Sequence, residues 1–172
     1  VNKTHWVWLG AGVVTVAVIA SRKRNSDGEH GATVTDDTEA LARVITSEAD
    51  RYSLLERTAI AWTVRNRAHK RGVSIARLVC YPECGECCTG RPFSSARPAT
   101  AENRDLARAV LAAPSSEDPT NGALAFFEPA VQDRLVAEHR RGYRFNAEQT
   151  RAKWLREGQR QLNTVGKFEF WA

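Results

Sequence analysis

Between Asp36 and Gly72 the sequence is punctuated twice in the same manner, and this restricts the stretch to a pair of helices. Asp36 is followed three residues later by Glu39, and Ser53 by Glu56. That is the spacing of a capping box, in which a side-chain oxygen and a carboxylate satisfy the backbone N–H groups at a helix start. Leu41, Val44 and Ile45 follow the first box; Leu55, Ala59 and Trp62 follow the second, and Gly72 stops the helix after Lys70. Helices are therefore predicted over about 37–50 and 53–70. A short helix is expected from Ser74 to Val79, one capped by Thr100 and running to Ala113, and two more over about 130–140 and 147–162. "ALAFFEP" (123–129) reads as a short apolar stretch leading into a helix, and "VGKFEFW" (165–171) as an extended segment. Pro82, Pro92 and Pro98 mark a long irregular loop over 80–100. The fold class expected is mainly α with a minor β element.

One residue breaks the apolar pattern. Glu48 falls at i+7 from Leu41, so on a regular helix it shares the face of Leu41, Val44 and Ile45 and is predicted to be partly buried. Burial disfavours the charged form of a carboxyl, which then keeps its proton more readily. Such a group beside a cleft can protonate a glycosidic oxygen as the bond breaks. The plainer alternative is an ion pair with Arg57 or Arg65 on the next helix.

At 172 residues the chain has room for one domain with a proper core, plus a tail. "WVWLGAGVVTVAVIA" (6–20) is uncharged and, with flanking residues, reads as a transmembrane anchor over 1–21. The basic cluster "SRKR" follows this run, whereas a signal peptide carries its basic residues before it. By the positive-inside rule the cluster places the following domain on the cytoplasmic side. Residues 22–35, rich in Gly, Ser and charge, read as a flexible linker, and the domain is expected to occupy 36–172. From Asp36 onward 21 basic residues face 18 acidic ones. So small and dispersed an excess does not mark a nucleic-acid surface, and no nucleic-acid partner is expected.

"LARVITSEAD" (41–50), with a second helix that closes on Asn66-Arg67, resembles the opening of the SleB-like cell-wall hydrolases, the family of spore cortex-lytic enzymes. "RPFSS" (91–95) resembles that family's Q-F-S-C segment, "DPTNGALAFFEP" (118–129) its D-P-T-x-G-A-x-x-F-Y-N-P, and "VGKFEFW" its closing I-G-x-H-x-F-Y. The resemblance runs in order from about Glu39 to Ala172. It implies a lysozyme-like helical fold that cleaves peptidoglycan glycan strands between MurNAc and GlcNAc, with Glu48 catalytic and no metal or organic cofactor. Similarity to lytic transglycosylases implies that Glu48 acts first as acid and then as base on the MurNAc C6 hydroxyl, leaving an anhydro-muramyl end. Phe93, Ser94, Ser95, Thr120, Gly122, Phe126, Phe127 and Glu128 lie in the matching segments and are the expected substrate-binding residues. The partners implied are peptidoglycan and, through residues 6–20, a lipid bilayer. The location is a bacterial envelope or, given the orientation of the anchor, the membrane of a phage virion.

The sequence departs from the family pattern at several positions. Phe127 and Glu128 stand where the family has Tyr and Asn, Phe168 replaces its His, and Ser95 its Cys. Glu128 would permit ordinary hydrolysis with water, as in a muramidase; a fold that kept its shape and lost activity would give a wall-binding or structural protein. All four cysteines lie in "CYPECGECC" (80–88), where disulfides, a zinc site using the C-x-x-C of Cys84 and Cys87, and free thiols each remain open.

Overall fold

The computed structural model of the chain describes residues 36–80, 93–94, 97–140 and 144–172. The apolar run 6–20, the linker 22–35, Ser95 and the cysteines 84, 87 and 88 lie outside them. The first helix, α1 (Asp37–Val44), begins at Asp36, whose carboxylate accepts from the Thr38 amide at 2.8 Å. The reciprocal half of the expected capping box is not made: the Glu39 carboxylate turns to Arg43 and to Arg104 of a later helix, at 3.2 and 2.6 Å. After Val44 the chain does not continue as a regular α-helix, as the spacing predicts, but widens into a π-helical turn, Ile45–Ala49.

The second box forms in full. Ser53 Oγ accepts from the Glu56 amide while the Glu56 carboxylate accepts from Ser53 N at 2.9 Å, and α2 runs Leu54–Arg71 to a left-handed Gly72 with φ 62°. A short α3 (Ile75–Leu78) leads into β1 (Val79–Cys80), which pairs in parallel with β2 (Phe93–Ser94). Helix α4 (Ala101–Ala112) follows Thr100, whose side chain accepts from Asn103 N. After a 3₁₀ turn (Ser115–Glu117) come β3 (Ala125–Phe127), α5 (Pro129–Ala137), α6 (Ala147–Arg156), β4 (Gln161–Val165) and β5 (Phe168–Trp171). The sequence pattern extends the last helix to Leu162. In the structure it stops at Arg156, Gly158 takes φ 79°, and the residues beyond form a strand.

Helices carry most of the described chain, and the antiparallel sheet has the order β3-β5-β4. Leu41, Val44 and Ile45 are fully buried against Trp62 and Val64 of α2, Leu78 and Val110, so the amphipathic reading of α1 holds. A second cluster packs Ile60 of α2 against Val165, Phe168 and Phe170 of the β4–β5 hairpin. Phe126 touches both clusters and so stands where the helices meet the sheet. Among the described residues no helix is long and apolar enough to cross a membrane.

Candidate functional site

Glu48 sits in the π turn, and the turn explains its exposure. A π turn spreads its rotation over more residues than an α turn, so Glu48 swings out of the Leu41–Ile45 seam to a half-buried position. Several side chains fix the turn. Thr46 Oγ1 donates to the Ala42 carbonyl and accepts from Asn103 Nδ2, both at 2.9 Å. Asn103, wholly buried on α4, also donates to Asp50 at 3.1 Å and accepts from Arg57 at 2.9 Å. Arg97 donates to the Thr46 carbonyl at 2.7 Å and to Asp50 at 2.9 Å, and its amide donates to Ser47 Oγ. Residues on both sides of Glu48 are thereby tied to the segment 97–103, which limits how far its backbone can shift. Arg57 also pairs with Glu102, and Arg65 donates to the carbonyls of Val110 and Ala113.

Glu48 opens on a cavity of about 210 Å³ lined with Arg67, Phe93, Ala125, Phe126 and Trp154. Five separate elements supply these walls: the π turn, α2, β2, β3 and α6. The Phe93 and Phe126 rings lie nearly parallel, 12° apart with centroids at 6.3 Å. The Arg67 guanidinium lies 5.7 Å from the Phe93 ring centre and donates to the Leu124 carbonyl at 3.3 Å. Burial, and to a lesser degree the charge of Arg71, push its proton affinity below that of an ordinary arginine. Trp154 is held edge-on between Phe127 and Trp171, with centroids at 5.3 and 5.5 Å. The result is a carboxyl and a guanidinium among three aromatic rings, a combination suited to a sugar, whose faces are apolar and whose rim is polar.

Of the residues expected to bind substrate, Phe93 and Phe126 line this cavity with Glu48. Ser94 follows Phe93 in β2, and Ser95 is outside the described residues. Phe127 alternates to the opposite face of β3, buried with Ala147 and Trp171. Thr120 and Gly122 belong to a turn organised by Asp118. One carboxylate oxygen accepts from Thr120 N and Oγ1 at 2.8 and 2.7 Å, the other from Gly122 N and Asn66 Nδ2, both at 2.8 Å. Thr120 is fully buried, and Gly122 takes φ 86°, which favours glycine. The "DPTNG" motif thus locks the loop that leads into β3 onto α2. Glu128 does not line the Glu48 cavity; its carboxylate accepts a hydrogen bond from the Tyr52 hydroxyl. Burial and that carboxylate hold the Tyr52 proton on beyond its ordinary value. Phe168 packs edge-on to Tyr52 and Phe126.

Arg67, Ala125 and Trp154 were not among the expected site residues. Arg67 carried a signal, since it closes the Asn-Arg pair; Trp154 carried none, because its approach depends on how α6 returns to the sheet. Arg97 and Asn103, which fix the turn, are likewise invisible to local spacing. Among the described residues no group of His, Cys, Asp and Glu is arranged to hold a metal ion. Neither a family model, nor a curated protein, nor a solved structure matches this chain.

Proposed function

We propose that this chain is a peptidoglycan-cleaving enzyme with a lysozyme-like helical domain, kin to the SleB-like hydrolases, and that it works as a lytic transglycosylase. The observation that carries the reading is the cavity itself: Glu48, on a braced π turn, faces the same space as Phe93, Phe126, Trp154 and Arg67. Glu48 donates its proton to the oxygen that leaves MurNAc C1 as the glycosidic bond breaks. The resulting carboxylate then takes the proton of the MurNAc C6 hydroxyl, whose oxygen bonds to C1; Glu48 ends protonated and the product is a 1,6-anhydro sugar. The aromatic rings pack on sugar faces and exclude water.

The engagement of Glu128 with Tyr52, and its absence from the cavity wall, favour one working carboxylate over a Glu48–Glu128 pair. Residues 6–20 would hold the enzyme to a bilayer, in a bacterial envelope or on the inner face of a phage membrane. Protease protection in intact particles or cells tests that placement, and ready digestion from outside contradicts the inner-face orientation. Mass spectrometry of digested peptidoglycan tests the reaction. Anhydro-muramyl ends support it, reducing ends convert the reading to a muramidase, and the absence of released fragments leaves a wall-binding protein.

A further inference from the structure

Beside the Glu48 cavity lies a second one of about 430 Å³, lined by Arg67, Lys70, Arg71, Leu124, Ala125, Gln159 and Ala172. The two share Arg67 and Ala125 in their walls and so adjoin. The three cations stand at i, i+3 and i+4 on the last turns of α2, one face of the helix. Cations are favoured near a helix C-terminus, but like charges at i and i+4 repel. Arg67 feels that repulsion, since Arg71 contributes to the lowering of its proton affinity. Among the described residues no acidic side chain forms an ion pair with Arg67, Lys70 or Arg71. The guanidinium of Arg67, with five N–H donors, makes one hydrogen bond there. An adjoining hollow lined by three cations that no described acidic side chain pairs with suits an anion attached to whatever fills the Glu48 cavity.

We infer that this second cavity is a carboxylate-binding subsite, and that Arg67, Lys70 and Arg71 receive the carboxylates of the stem peptide carried by the muramic acid at the Glu48 cavity. The inference rests on the peptidoglycan reading. In that substrate the peptide hangs from the lactyl group of the same ring whose C1 bond is cleaved, so its anions enter beside Glu48. The enzyme then prefers strands bearing stem peptides with free carboxylates over strands whose carboxylates are amidated.

The test is calorimetric binding to the Glu48→Gln chain, which does not turn the ligand over. The probes are a GlcNAc-MurNAc tetrapeptide, the same compound with its carboxyl groups amidated, and the free tetrapeptide. The free acid is expected to bind about tenfold more tightly than the amidated form, the worth of a few charge contacts from exposed Lys70 and Arg71 and half-buried Arg67. The Lys70→Ala/Arg71→Ala double variant should abolish that preference. Equal affinity for the two disaccharides, or a preference that survives in the double variant, overturns the subsite and leaves the glycan reading in place. Binding of the free tetrapeptide alone, dependent on Lys70 and Arg71, keeps the subsite and overturns the glycan reading. Binding of none of the three overturns both.

Discussion

Replacing Gly166 by alanine should destabilise the domain far more than a single methyl suggests. Gly166 takes φ 55° in the β4–β5 hairpin, a conformation costing an alanine about 1 kcal/mol. A Cβ there would lie 2.5 Å from Glu56 Cδ and 2.6 Å from Cγ, so the Glu56 side chain would have to move. That side chain is held: its carboxylate accepts from Ser53 N at 2.9 Å, Ser53 Oγ at 2.7 Å and Lys167 N at 2.9 Å. Hydrogen bonds to a charged group are worth roughly 1.5–3 kcal/mol each, and losing one of them brings the total to about 3–4 kcal/mol. For a domain of this size that lowers the urea midpoint by about 1.5–2 M. Gly158 supplies the control, because it also has positive φ (79°) but a Cβ there meets nothing within 4 Å. Gly158→Ala should therefore cost only the backbone term, about 1 kcal/mol. Combining Gly166→Ala with Glu56→Gln should cost clearly less than the sum of the two, since both act through one carboxylate. Strict additivity, or a Gly166→Ala loss no larger than that of Gly158→Ala, would show that the Glu56 carboxylate does not carry the effect. The hairpin matters to the site because Phe168 and Phe170 lie against Phe126, which lines the cavity.

The hydrogen bonds of Ser53 and Lys167 hold the Glu56 carboxyl below its ordinary value of 4.5, so its stabilisation is whole above that pH and drains as pH falls through the lowered value. The stability gap between the native chain and Glu56→Gln should thus shrink in acid, and a gap constant from pH 7 to 2 in denaturant titrations contradicts it. Asn103→Ala should cost about 1–3 kcal/mol, because it strands buried partners on Thr46, Asp50 and Arg57. It should also reduce kcat on peptidoglycan more than it raises KM, because the turn that holds Glu48 loosens; a pure KM effect counts against that positioning role. Trp154→Ala should raise KM about tenfold by removing an aromatic wall, checked by turbidity loss of peptidoglycan suspensions against retained far-UV circular dichroism.

Where local chemistry decides, the sequence is readable. Ser53, Glu56 and Gly72 carry their structural roles in their own side chains or lack of one, and they bound α2 as expected. Leu41, Val44 and Ile45 are buried as their period requires. The π turn is hidden because the spacing of Glu48 fits a regular α-helix equally well, and tertiary bonds from Arg97 and Asn103 hold the wider turn. Strand β4 is hidden by "QLNTV", which is polar and continues a helical pattern; its register comes from β5, whose residues are all buried. Around the cavity, Glu48, Phe93 and Phe126 stand out in the sequence and Arg67 does so by its Asn-Arg pair, while Trp154 joins them only through folding. The Asp118 turn shows the reverse: Thr120 and Gly122 stand out in the sequence because the loop needs them, not because they line the cavity.

Glu48 is proposed as the proton-transferring group of a glycan-cleaving site. Glu48→Gln keeps the size and polarity of the side chain and removes its acid. The decisive measurement compares the native chain with this variant by mass spectrometry of released muropeptides, with urea midpoints confirming that both are folded. Anhydro-muramyl fragments are expected from the native chain and at least a hundredfold fewer from Glu48→Gln, on the scale of a lost general acid, roughly 10²–10⁴. Full release by the folded variant would contradict it.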